Sequence, residues 1–340
     1  MTNKMKTEIL KADSESLDKA AQLLKNGEVV AVPTETVYGL AGNGLSSASV
    51  KKIFEAKGRP ADNPLILHIA DIDSLYEYAE YVPELALKLA ETFWAGSLTM
   101  ILKKKQNVPC ETSGGLDTVA FRMPNNKWTL ELIRKCGFPL AAPSANLSGL
   151  PSPTCAEHVY NDMNGNIPLI IDGGKCSCGL ERTVITFVND TVKVLRPGAV
   201  TPEMLEKFCK VQIDKSVTEG LDNNREALSP GMKYKHYSPK AQVYMIECKG
   251  DKDFISFVNA NSDNNTFVLS KSDDNDRINA KVLSYGKTTA EEAAELFASL
   301  RKADDMGAEK IYVRSPDKKG IGLAVYNRLI RAAAFKVIKL

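Results

Sequence analysis

Eight short apolar runs of strand length crowd into the first two-thirds of the chain: Val29–Val32, Leu65–Ile69, Leu98–Leu102, Thr118–Phe121, Leu140–Ala142, Leu169–Ile171, Thr183–Val188 and Val192–Leu195. Runs of about three to six residues bounded by polar or turn residues read as strands. Helical stretches interrupt them. In Ser14–Asn26, Leu17, Ala20, Ala21 and Leu24 recur at helical spacing before the stop at Gly27. In Ser47–Lys57, Val50, Ile53 and Phe54 share a face, and Pro60 forbids continuation. So many strands with so few helices predict an α/β fold whose first part is one large twisted mixed sheet with helices packed on it.

The pattern changes at Ser216. From there to Pro239 hydrophobic periodicity is lost and Gly, Pro, Asn and charge take over, which reads as a linker. A passive tether would be Gly/Ser-rich or evenly charged, yet this one places Met232, Tyr234, His236 and Tyr237 among Lys233 and Lys235. Beyond Lys240, Val243–Ile246, Thr266–Leu269, Val282–Tyr285 and Ile311–Val313 alternate with helical patterns at Asp251–Val258, Ala290–Lys302 and Leu323–Ala334. That is a small open-sheet α/β domain without a Gly-x-Gly-x-x-Gly fingerprint. The expected divisions are 1–215, a linker 216–239 and 240–340.

Composition excludes some function classes. A net charge of +2 on 340 residues announces no nucleic-acid binding by itself. No apolar run is of membrane-spanning length and none follows the N-terminal lysines, so a cytoplasmic protein without membrane contact is expected. Seven irregularly spaced cysteines fit reduced thiols. Cys176 and Cys178 could supply two zinc ligands, but the other half of a four-ligand site is missing, so no metal site is expected.

Several segments carry polar chemistry where strands or helices end. Pro33–Leu40 (PTETVYGL) follows a strand and suits either a crevice wall or a capped turn. Lys57-Gly58-Arg59-Pro60-Ala61-Asp62-Asn63-Pro64 places two cations and an amide at a helix end, where the dipole alone favours cations and a phosphate would favour them too. His68 closes a strand, where a lone histidine is more often structural than catalytic. Arg122 closes another, and an arginine there is costly unless an anion pairs with it. Pro143–Gly149 (PSANLSG) offers hydroxyls, an amide and backbone donors without a P-loop pattern, and Arg196 follows a further strand. Together Lys57, Arg59, Arg122 and Arg196 suggest a polyanion site. Nucleophile-elbow and metalloprotease patterns are absent.

Taken in order, PTETVYGL (33–40), KGRPADNPLILHI (57–69), VAFRMP (119–124), PSANLSG (143–149), LRPG (195–198) and SPGMKYKHYSP (229–239) resemble the long, two-domain form of the threonylcarbamoyl-AMP synthase family. Its first part is a YrdC-like domain. The resemblance implies a nucleotidyltransferase reaction in which L-threonine, bicarbonate and ATP give threonylcarbamoyl-AMP and pyrophosphate, with Mg2+ accompanying ATP. The product would pass to the tRNA threonylcarbamoyl-transfer machinery for N6-threonylcarbamoylation at position 37, with a possible direct tRNA contact.

By the same resemblance, Thr36, His68, Arg122 and Ala142 are expected at threonine, and Arg59, Asn63, Thr118, Ser144, Ser152 and Arg196 at ATP. Lys57 joins the basic cluster as an electrostatic group. Relatives usually carry serine where this chain has Arg182, which also belongs beside threonine. No covalent nucleophile is required: a carbamate of threonine attacks the α-phosphate and pyrophosphate leaves, so positioning and positive charge are the main demands. The linker around Tyr234, His236 and Tyr237 is expected to fold over the nucleotide as a lid. Two competing readings are a non-catalytic RNA-binding module using Lys103–Lys105, and a hydrogenase-maturation carbamoyltransferase, whose paired Cys-x-x-Cys motifs are missing here.

Overall fold

The computed structural model describes residues 5–219 and 237–340. Its first sheet has eleven strands: β1 (Glu8–Lys11), β2 (Val30–Val32), β3 (Gly39–Asn43), β4 (Ile66–His68), β5 (Leu98–Lys103), β6 (Thr118–Arg122), β7 (Leu140–Ala141), β8 (Leu169–Asp172), β9 (Thr183–Val188), β10 (Thr191–Arg196) and β11 (Lys210–Ile213). They lie in the order β1-β8-β2-β3-β7-β4-β6-β5-β9-β10-β11, with parallel and antiparallel pairs mixed. The α/β class and large mixed sheet are those expected. Three strands, β1, β3 and β11, go beyond the eight runs read from the sequence.

The flanking helices form where local chemistry favours them. Asp13 and Ser16 make a capping box at the start of Ser14–Lys25, which buries Leu17, Ala20, Ala21 and Leu24. Ser46 caps Ser47–Lys57, and Gly58 ends it in the left-handed conformation at φ 58°.

Strand alternation then sorts the sheet's two faces. Leu67 of β4, Val119 and Phe121 of β6, and Met100 and Leu102 of β5 enter the main core beneath the helices. Their neighbours Ile66, Ile101 and Ala120 turn the other way and join Val184 and Leu195 in a separate small apolar floor. By register, His68, Thr118 and Arg122 share that second face.

The second sheet holds β12 (Gln242–Glu247), β13 (Thr266–Ser270), β14 (Lys281–Ser284), β15 (Lys310–Arg314) and β16 (Val337–Lys339). Its order is β14-β13-β15-β12-β16, and every pairing is parallel. Helix Asp251–Asn261 covers one face, and helices Thr289–Asp305 and Ile321–Ala332 the other. This is the small open sheet anticipated for the chain beyond Lys240.

From Gly322 to Ala332 the last of these helices is buried on every side, although it carries Asn327, Arg328 and Arg331. A helix buried all round normally lacks such residues. They are accommodated because its far side meets the start of the linker: Asn327 Nδ2 donates to the Val217 carbonyl at 2.7 Å and Arg331 Nη2 to the Ser216 carbonyl at 3.0 Å. Arg301, on the preceding helix, grips Asp162 through both guanidinium nitrogens at 3.0 and 2.7 Å. Among the described residues no helix is long and apolar enough to cross a membrane.

Candidate active site

The face of the eleven-stranded sheet opposite its main core carries a strip of polar residues, a candidate groove, whose two ends differ in chemistry. At one end, β4 and β6 finish side by side, with His68 opposite Arg122. Arg122 is fully buried, as is His68. The anion that such an arginine demands comes from the chain itself. Glu35, in the loop after β2, pairs with Arg122 Nη2 through Oε1, which also accepts from Ser97 Oγ at 3.2 Å. Its Oε2 accepts from the Asn125 amide at 3.1 Å. Arg122 Nε donates to the Gly96 carbonyl at 3.2 Å, and Nη1 has no partner among the described residues.

The loop bearing Glu35 is held by local bonds. Thr34 Oγ1 donates to the Val37 carbonyl at 2.6 Å and lies 2.9 Å from Thr36 Oγ1, which places the buried Thr36 beside Glu35. The Cys178 amide donates to the Glu35 carbonyl at 2.8 Å, and the Cys176 amide to the Thr154 carbonyl at 2.9 Å. The Cys-x-Cys segment thus braces this loop.

Arg182 enters from the start of β9 and stretches across to the Ala142 carbonyl at 3.2 Å, with Nε lacking a partner among the described residues. Arg182 is thereby held close to His68 and Arg122. Arg196 arrives with β10, where an irregularity in the pairing with β9 lies between Val194 and Arg196. Its Nε donates to the Arg182 carbonyl at 3.2 Å, and the Tyr237 phenol is hydrogen-bonded to it.

The other end lies toward the start of β4 and β6. Thr118 is four residues from Arg122 on the same strand, about 13 Å away. β7 runs from Leu140, opposite His68, toward Ser144, which bridges to Gly39. Arg59 donates to the Asn63 carbonyl at 3.3 Å, and both polar side-chain atoms of the buried Asn63 lack partners among the described residues. Ser152 Oγ donates to Glu181.

Lys57 departs from expectation. It is buried, and its ammonium donates to the Ser144 carbonyl and, at 2.6 Å, to the Asn146 carbonyl, while its own carbonyl accepts from the Ser148 amide at 2.9 Å. Its contacts pin the PSANLSG loop, so it acts there as a positioning group. Tyr234 and His236 lie outside the described residues. Tyr237, inside them, stacks on Phe297 with ring centroids 5.2 Å apart, and the Ser238 amide donates to the Gly149 carbonyl at 2.9 Å. Lys103 pairs with Glu80, and Lys104 and Lys105 bond to the Val108 and Tyr76 carbonyls, so these three charges are engaged locally.

Burial, with Arg182 and Arg122 close by, pushes the His68 pKa well below the ordinary range, leaving a neutral ring. Burial together with Arg122 and Arg196 likewise disfavours the charge on Arg182, a guanidinium in want of an anion. His158 is lowered to about 4 by burial and Arg301. Because these histidines resist protonation only when folded, the unfolded chain takes up protons first. Stability should therefore be full above about pH 6.5 and fall as the pH drops toward 4. In His158→Gln the slope of unfolding free energy over this window, measured by urea titration at several pH values, should shrink by about one proton.

A mixed sheet one of whose faces gathers buried arginines, hydroxyls and an amide unpartnered among the described residues is an arrangement suited to holding anions. A family description, "Telomere recombination", matches residues 22–198, and a second, "Threonylcarbamoyl-AMP synthase, C-terminal domain", matches residues 200–334. The chain is 44% identical to the threonylcarbamoyl-AMP synthase of Pyrococcus abyssi over 94% of both chains. It is 42% identical to the Bacillus subtilis enzyme of the same name over 98% of this chain and 97% of that one. The crystal structure of P. abyssi Sua5 complexed with L-threonine superposes with a TM-score of 0.89 at 42% identity, covering 99% of each chain. The chain belongs to the threonylcarbamoyl-AMP synthase family, in its two-domain form.

Proposed function

We propose that the chain is an L-threonylcarbamoyladenylate synthase, forming threonylcarbamoyl-AMP and pyrophosphate from L-threonine, bicarbonate and ATP in the cytoplasm. The product serves N6-threonylcarbamoylation of tRNA adenosine 37 by a downstream transferase. The observation that carries this reading is the groove itself: buried Arg122, Arg182 and His68 at one end, Arg59, Asn63, Thr118 and Ser144 at the other. A carboxylate and a triphosphate differ in the same way.

Threonine's carboxylate takes the open Nη1 of Arg122, with Arg182 beside it, and its hydroxyl and amine lie against Thr36, neutral His68 and the Ala142 segment. A neutral imidazole adds no further positive charge beside the two arginines and can accept a hydrogen bond from the amine. The carbamate oxygen then attacks the α-phosphate, and Arg196 and Arg59 hold the developing charge as pyrophosphate leaves. Ser144, Ser152 and Thr118 orient the nucleotide. Among the described residues no three His, Cys, Asp or Glu side chains converge on a cation. Mg2+ would therefore be carried chiefly by the phosphates, neutralising part of their charge.

The test is pyrophosphate release from ATP with Mg2+ and bicarbonate, comparing L-threonine, L-serine, L-valine and no amino acid. L-threonine alone should give strong stimulation, and Arg59→Ala should lower it by about 100-fold. A flat response in all four mixtures would favour the RNA-binding module instead.

A further inference from the structure

The second domain grips the segments that carry Arg182 and Arg196 through the Arg328 side chain. Arg328, on helix Ile321–Ala332, is fully buried. Its Nε donates to Glu181 Oε2 at 3.0 Å, its Nη2 to the Glu181 carbonyl at 2.8 Å, and its Nη1 to the Pro197 carbonyl at 2.8 Å and Asn327 Oδ1 at 2.9 Å. The two residues it grips in the first domain are chain neighbours of Arg182 and Arg196. Glu181 also receives the Ser152 hydroxyl, and Arg196 is bonded to the Arg182 carbonyl. One guanidinium thus spans the two segments that carry Arg182 and Arg196.

We propose that Arg328 is a positioning residue for adenylation: it fixes Glu181 and Pro197 so that Ser152 and Arg196 meet ATP in productive geometry. This rests on reading the groove as an adenylating site. Docking alone would not ask for this chemistry, because a buried ion pair can be replaced by apolar residues without loss of stability. The guanidinium fork supplies instead a planar set of donors with fixed directions, which neither lysine nor an apolar residue reproduces. Burial raises the cost of charge on Glu181, but Arg328 and Arg196 together with the Ser152 bond hold its pKa below the ordinary carboxylate value. The carboxylate stays ionised and keeps accepting from both domains.

The experiment uses the full chain and four variants: Arg328→Met, Arg328→Lys, the double variant Glu181→Gln with Arg328→Met, and Lys175→Ala. Lys175→Ala breaks an exposed interdomain pair with Glu295 and should leave everything measured unchanged. Urea midpoints, ATP affinity by calorimetry, and KM for ATP and for threonine are compared. Arg328→Met strands the Glu181 charge and should lose stability. The double variant should recover the midpoint while its ATP affinity and KM remain about tenfold weaker. Arg328→Lys should likewise weaken ATP about tenfold, with the threonine KM moving less than about threefold. ATP affinity within about twofold of wild type in the double and lysine variants, or equal shifts for both substrates, would overturn the proposal. If wild type binds ATP but releases no threonine-dependent pyrophosphate, the reaction assignment fails while the affinity comparison still judges Arg328.

Discussion

Arg122→Ala should lower kcat/KM for threonine in pyrophosphate release by more than about 100-fold, and lower stability by about 3–5 kcal/mol. Both effects follow from the same geometry. In wild type the guanidinium is fully buried, ties the Glu35 loop to the end of β6, and leaves Nη1 without a partner among the described residues. Removing it takes away the carboxylate receptor and leaves the Glu35 carboxylate, itself nearly buried, without its counter-ion. Adding Glu35→Gln to Arg122→Ala should therefore recover part of the urea midpoint, because no charge is stranded, but none of the activity. A threonine KM unchanged in Arg122→Ala would place the amino acid elsewhere in the groove.

For Arg122 the sequence shows the need for an anion but not which group supplies it. An arginine closing an apolar strand needs an anion, and a substrate carboxylate is one; Glu35, 87 positions away, is another, and nothing in the local pattern of PTETVYGL marks it. Lys57 shows the same limit. Two cations at a helix end look alike in one dimension, yet one turns toward the PSANLSG carbonyls and the other lies against the Asn63 segment. The mixed sheet was legible because its central strands are apolar runs. β3, Gly39–Asn43, contains two glycines and β1 is largely exposed, so neither presents a strand-like signal. The interdomain bonds of Arg301 and Arg328 join residues 139 and 147 positions apart, beyond the reach of any periodicity.

The segment from Cys178 to Arg182 is where these long-range ties meet. Its first amide holds Glu35, Glu181 accepts from Ser152 and Arg328, and Arg182 reaches Ala142. Between them Gly179 has a φ of 68°, and a Cβ built on it would stand 2.3 Å from the Ala294 carbonyl oxygen on helix Thr289–Asp305. The obstacle is backbone, so it cannot rotate away. Gly179→Ala should accordingly cost about 3 kcal/mol, the sum of left-handed strain and overpacking. Gly174→Ala isolates the first contribution: φ is 85° there, but the added carbon would meet nothing within 4 Å, so about 1 kcal/mol is expected. The difference in urea midpoint between the two variants measures how closely the domains are pressed together. Because moving Ala294 away also moves the segment carrying Glu181 and Arg182, Gly179→Ala should weaken ATP and threonine together, whereas Gly174→Ala should leave both KM values near wild type. Equal stability loss in the two variants would mean that the domains can part at Gly179 without cost.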